Sequence, residues 1–198
     1  HIHVLSRHAL LPLPHTAHAV AAFDADALQS MTLRQRMRCL REASDHAIAD
    51  GLPWQAVMES ARPLVQKLWC TLSHDDQRRF LRHVVRYWDV HRHRIAAQVH
   101  AQLDALQASG QMQLHRGRLD TVAREGRRIR VTMLMRDRRA QQLDVDRVVN
   151  ATGVEMRAQL MRNPLLSDLL GKGHARPGPH GIGIDTASDG DLVNAEGE

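Results

Sequence analysis

The spacing of apolar residues changes period near residue 110, and this change restricts the chain to folds that join a helical block to a sheet. His1-Ile2-His3-Val4-Leu5 alternates as a strand does, residues 32–110 follow a helical period, and residues 111–150 return to period two. Between the first strand and the helices lies Leu10-Leu11-Pro12-Leu13-Pro14-His15, whose two prolines exclude regular structure. Within the helical block, Leu33, Met37, Leu40, Ala43 and Ala47 share one face, Thr32 and Gln35 have capping-box spacing, and Gly51 is placed to close the end. Arg34, Arg38, Arg41 and Asp45 fall on the opposite, wet side.

Pro53 suits the first turn of a second helix with a wide apolar face running from Trp54 to Trp69, and Pro63 predicts a kink in it. Ser73 is a cap for a third helix, with Asp75 and Asp76 near its positive end and Phe80, Leu81, Val84 and Val85 turned inward. A fourth helix is predicted to carry Ile95, Val99, Leu103 and Leu106 and to stop at Gly110. After it comes an antiparallel meander broken at Glu125-Gly126 and at Asp137-Arg138-Arg139-Ala140, with Ile129, Val131, Met133 and Met135 on one face. A strand over Val145–Asn150 is expected to lead into the Ala151-Thr152-Gly153 turn, followed by a short helix at 164–170 and a Gly- and Pro-rich loop ending in Gly181-Ile182-Gly183-Ile184-Asp185. The simplest architecture is α/β: a body formed by 1–29 and 111–198, interrupted by an all-helical insertion at 30–110.

Composition narrows the functional classes. Lys and Arg together number 27 against 22 acidic residues, a formal charge of +5, and nearly all of the cations are arginine. Arginine favours forked contacts to carboxylates and phosphates. Aromatics make up only 3% of the chain and the arginines are dispersed, so nucleic acid is an unlikely partner. Cys39 and Cys70 form neither a disulfide framework nor a zinc ribbon. His91 and His93 with His83 or His100 have no recognised metal-ligand spacing, His15 and His18 have no assignable role, and no Ser-His-Asp motif is present. No apolar run approaches the ~20 residues that span a bilayer, and the default expectation is a cytoplasmic protein. His1 in place of an initiator Met, opening directly on a strand pattern, suggests a chain cut from a longer one, whose lost N-terminus could have carried a signal. Oligomeric state is not legible.

Val148-Val149-Asn150-Ala151-Thr152-Gly153 is the type of apolar strand ending in small residues that brings backbone against a cofactor, yet no G-x-G-x-x-G and no P-loop occurs in these 198 residues. Five pieces, in order, are spread along almost the whole chain: Ser6-Arg7-His8-Ala9-Leu10-Leu11-Pro12 with His15; Trp88-Asp89-Val90-His91-Arg92-His93-Arg94; Val148 to Gly153; Pro164-Leu165-Leu166; and Arg176-Pro177 with Gly181 to Asp185. Together they resemble the bacterial FAD/NAD(P)-binding proteins of the YdhS-like type, and the Trp88–Arg94 stretch is the most specific of them. The resemblance implies a partial dinucleotide-binding, Rossmann-like body from a flavoprotein oxidoreductase. Its parent would use FAD and NAD(P)H, passing hydride from nicotinamide through flavin to an unidentified small-molecule acceptor. Both Gly-rich loops would lie upstream of His1 and the segment completing the flavin site beyond Glu198, so the 198 residues alone are expected to be inactive and to hold neither dinucleotide tightly.

Under that resemblance His1–Leu5 is the second strand of the nicotinamide-binding unit, and Ser6 and Arg7 emerge at its carboxyl end beside the adenosine ribose. Arg7 then either pairs with a 2′-phosphate, favouring NADPH, or faces solvent. Ala151, Thr152 and Gly153 either lie against a dinucleotide or form an ordinary tight turn. His91, Arg92, His93 and Arg94 either contact substrate or phosphate or form a helix connector anchored by Trp88. A noncatalytic helical module that binds nucleic acid or a protein through arginine-rich faces is the competing functional class.

Overall fold

The computed structural model describes residues 1–17 and 23–198; His18 lies outside them. The chain divides into two compact units, His1–Arg147 and Val148–Glu198. The division falls at 147/148, so the sheet and the helical block belong to one unit, whereas the sequence pattern groups 111–198 with 1–29.

The first unit is mixed α/β around a four-stranded sheet of order β1-β2-β3-β4. The strands are β1 (Ile2–Ser6), β2 (Met112–Glu125), β3 (Arg128–Met135) and β4 (Ala140–Val145). β1 lies parallel to β2, with Ile2 opposite Met112 and Ser6 opposite Arg116. Parallel neighbours cannot be joined by a hairpin, so the chain must leave the sheet after Ser6 and return at Met112, and the helices occupy that excursion. β2, β3 and β4 form the expected antiparallel meander. Gly126 turns the first hairpin at φ 60°, a conformation open to glycine. Val131 and Met133 are buried on the predicted face, flanked by half-buried Ile129 and Met135. At Gly117 the backbones of β2 and β3 approach so closely that a Cβ would stand 2.7 Å from the Leu134 carbonyl oxygen.

The meander differs from expectation at its end. β4 stops at Val145, and the stretch through Asn150 is not a strand. Extended backbone needs a ladder partner. Val145 still pairs with Ile129, near the start of β3, and Val149 is 78% exposed, so the apolar run has no neighbour to hold it in a sheet.

Local signals build the helical block much as the sequence predicts. Helix α1 (Leu33–Ala49) carries both halves of the Thr32–Gln35 capping box, and Gly51 follows it at φ 78°. Arg34, Arg38, Arg41 and Asp45 are exposed. Helices α2 (Gln55–Ala61) and α3 (Val65–Cys70) are separated by a 3-10 turn at Arg62–Leu64. Pro63, which has no N–H to give the helical ladder, sits in that turn. Ser73 accepts a hydrogen bond from the Asp76 N–H at the start of α4 (His74–Arg79). A π-helical turn at Phe80–Val84 then leads into α5 (Val85–Arg92), with Phe80 edge-on to both Trp69 and Trp88. Leu28, Leu40, Ala47, Ala56, Val57, Ala61 and Leu68 form the core between these elements.

Helix α6 (Ala97–Ala108) starts later than expected and ends before Gly110, which has φ 71°. Ile95 is not helical; it bridges to Pro14 in a parallel pairing. The proline-rich segment cannot complete a ladder of its own, so Leu13 and His15 exchange backbone hydrogen bonds with Ile95 at 2.9 and 2.8 Å.

In the second unit, helix α7 (Pro164–Gly171) is capped by Asn163, whose side chain accepts from the N–H groups of Leu165 and Leu166. The Gly- and Pro-rich loop is tied by bridges Arg157–Ile182 and Pro177–Ile184 and by an ion pair between Arg176 and Asp185 at 2.7 Å.

Candidate functional site

The carboxyl end of β1 is shaped by the residue that terminates it. The Ser6 hydroxyl accepts the Ala9 N–H at 2.9 Å, and Ala9 sits at φ 52°, so the side chain closes a tight turn that throws the chain off the sheet. Arg7 is exposed on that turn and has no ion pair or hydrogen bond among the described residues. His8 then packs edge-on against Tyr87 of α5, ring centroids 5.6 Å apart, with its Nδ1 buried and unpartnered among the described residues. Leu13 donates to the Val90 carbonyl at 3.3 Å. The structure thus brings the segment that follows β1 against the Trp88–Arg94 stretch.

Within that stretch the side chains divide by burial. Trp88 packs against the core. His91 Nδ1 lies 2.7 Å from the Tyr87 carbonyl oxygen, and its ring stands edge-on to Trp54 at 4.8 Å. His93 is exposed just past α5, its N–H donating to the Asp89 carbonyl. The Arg94 side chain is only 5% exposed and pairs with Glu59 of α2; burial pushes its pKa below the ordinary arginine value. The Nε atoms of Arg92 and Arg94 are buried without partners among the described residues. Beside them lies a cavity of about 10 Å³ lined by Glu59, Trp88, His91, Arg92 and Arg94, among others. That volume suits at most one water.

Ala151, Thr152 and Gly153 belong to the second unit and are exposed. Asn150 organises them: its side-chain oxygen accepts the Thr152 N–H at 3.1 Å and the Thr152 hydroxyl at 2.8 Å. Gly153 has φ 80°, with no atom within 4 Å of where a Cβ would stand. The result is an Asx-type turn with an accessible backbone face. Two residues on, Glu155 grips Arg157 through two charge-assisted hydrogen bonds of 2.8 Å, which hold its carboxyl down to about 2.

A titratable pair missed by motif reading sits on the parallel strands. His3 Nδ1 and His115 Nε2 are 2.9 Å apart, so a single proton bridges them, and His115 is 8% exposed. Burial first, and the neighbouring His3 second, lower the His115 pKa from 6.5. A base whose folded pKa is depressed stays neutral while the unfolded chain takes up a proton, so stability is full above the unfolded value and falls as pH drops below about 6.5. Urea unfolding at pH 8.0 and pH 5.5 is expected to show lower stability at the acidic value, and His115→Gln is expected to flatten that dependence. An equal pH slope in the variant would assign the effect to other groups.

Among the described residues no group of three or more His, Cys, Asp or Glu side chains could hold a metal ion, and no helix is long and apolar enough to cross a membrane. Cys39 and Cys70 are free thiols. Comparisons with protein-family models, with curated proteins and with solved structures found no match.

Proposed function

We propose that this chain serves an FAD- and NAD(P)H-dependent oxidoreductase of the bacterial YdhS-like type, contributing part of the nicotinamide-binding body and a helical insertion. The observation that carries the reading is the parallel β1–β2 pair with Ser6 and Arg7 at its carboxyl end, because doubly wound folds bind the adenosine ribose outside the carboxyl ends of parallel strands. In this reading the pair belongs to a Rossmann-like sheet, and residues 30–110 are grafted into it. The residues fit one end of a dinucleotide: Arg7 offers an uncommitted guanidinium to a ribose phosphate, while Ser6 keeps its hydroxyl in the turn that positions Arg7. Ala151–Gly153 offers small side chains and open backbone of the kind a cofactor packs against. His91, Arg92, His93 and Arg94 serve chiefly to join the end of α5 to α2 and to Trp54 before it, with exposed His93 the member accessible to substrate.

The cofactors supply hydride transfer when bound; the part of this chain is to orient the adenosine end. The proposed setting is cytoplasmic, with a small-molecule acceptor. The test is the visible spectrum of the full-length parent beside the 198-residue chain, before and after NADPH. A yellow parent that bleaches beside a colourless 198-residue chain supports the reading, and a parent colourless even after FAD is supplied overturns it.

One observation favours a second reading, a binding module. Arg34, Arg38 and Arg41 line the exposed side of α1 with no ion pair or hydrogen bond among the described residues. Retention on RNA or DNA that collapses with rising salt would select it.

A further inference from the structure

The strand register sets two more arginines beside the carboxyl end of β1. Ser6 is opposite Arg116, and Gly117 is opposite Met135. Arg136 follows Met135 directly as the first residue of the turn after β3, so it leaves the sheet next to Arg116, which itself pairs with Ser6. Arg116 and Arg136 line one open cleft of about 410 Å³ together with Met135 and Asp137.

Asp137 is the carboxylate that would neutralise them, but it is committed elsewhere. It accepts from Arg139 Nε at 2.7 Å, Arg139 Nη2 at 2.6 Å and the Arg139 N–H at 3.1 Å. Neither Arg116 nor Arg136 has a side-chain hydrogen bond or ion pair among the described residues, and Arg116 Nε is buried without a partner. Two like charges sharing a cleft repel, and an unpaired buried N–H costs free energy. A dianion between them offsets the repulsion, and the guanidinium fork matches phosphate oxygens.

We propose that Arg116 and Arg136 form a binding site for a phosphomonoester dianion at the carboxyl end of β1. Arg116 is held within β2, and Arg136 opens the tight turn that follows β3. That the phosphate is carried on an adenosine ribose rests on the reading of the preceding subsection; the site itself does not.

The test is titration calorimetry of the 198-residue chain with adenosine 2′-monophosphate, adenosine and inorganic phosphate. Adenosine 2′-monophosphate is expected to bind and adenosine not to. Arg116→Gln and Arg136→Gln are each expected to weaken binding about tenfold or more, with Arg116→Lys intermediate and the distant Arg127→Gln unchanged. Melting curves of each variant separate lost binding from lost fold. Inorganic phosphate binding as tightly as the nucleotide, with the same arginine dependence, supports the phosphate site while removing its link to adenosine. No binding by either phosphate, or binding indifferent to both glutamine substitutions in folded protein, overturns the proposal. A colourless parent would reject the flavoenzyme and leave this result standing.

Discussion

Arg36→Met is expected to lower the stability of the first unit by about 3–5 kcal/mol, measured as a shift in the urea midpoint. Arg36 is 3% exposed, and its guanidinium ties together three pieces of chain. Nε donates to the Met31 carbonyl at 2.8 Å, Nη1 to the Leu68 carbonyl, and Nη2 to the Gln29 carbonyl at 3.0 Å and the Thr71 hydroxyl at 3.1 Å. Burial pushes the Arg36 pKa below its ordinary value, and the charge of Asp76 partly opposes that shift. Asp76 in turn accepts the Leu33 N–H at 2.9 Å, binding the start of α1 to α4. Methionine fills similar volume but leaves buried carbonyls unpaired. Arg36→Lys is expected to recover little, since one ammonium cannot reproduce the fork that reaches four acceptors. An unfolding free energy within about 0.5 kcal/mol of the unsubstituted chain would show that the acceptors find water or relax apart.

Arg94→Met carries the second large expectation, a loss of about 2–4 kcal/mol, placed below the figure for a sealed ion pair because Glu59 is still 27% exposed. Arg94 joins the end of the α5 segment to α2, and among the described residues Glu59 keeps only Arg62 as an ion-pair partner, at 3.3 Å, when Arg94 is removed. The double variant Arg94→Met/Glu59→Gln is expected to lose less than the two single losses added, because the second change removes the stranded charge. Strict additivity would mean that the pair contributes nothing to stability and free Arg94 for another role.

Signals confined to a few residues were the legible ones. The Thr32–Gln35 box, the Ser73 cap, the glycines after α1 and α6 and the break at Pro63 all act within a turn or two, and each appears where the local chemistry requires it. What needs a partner distant in sequence was not legible. Helical spacing sets Arg36 on the same face as Leu33 and Leu40, but what satisfies its charge there is not legible, because its acceptors at Leu68 and Thr71 lie on another stretch of chain. The Val145–Asn150 run reads as a strand, but past Val145 nothing among the described residues pairs with it, and Ile95 follows the helical period yet is claimed by the proline segment. The same holds at the site: the position of Ser6 and Arg7 follows from where β1 stops, whereas the approach of Arg116 to Arg136 exists only once the hairpin register is set. The small cavity beside Arg94 likewise arises from side chains of separate segments, Glu59 of α2 and Trp88, His91 and Arg92 of α5 among them, that no motif spacing connects.

The parallel pairing of β1 with β2 also bears on the order in which the molecule assembles. The His3–His115 contact spans 112 residues of chain, and closing a loop of that length costs about 4 kcal/mol of chain entropy before any contact repays it. The meander and the capped helices close through neighbours and do not bear that cost. Chain entropy therefore predicts that β1 joins the sheet after the meander has formed, so the Arg7 turn, although closed locally by Ser6, is placed beside β2 late in assembly.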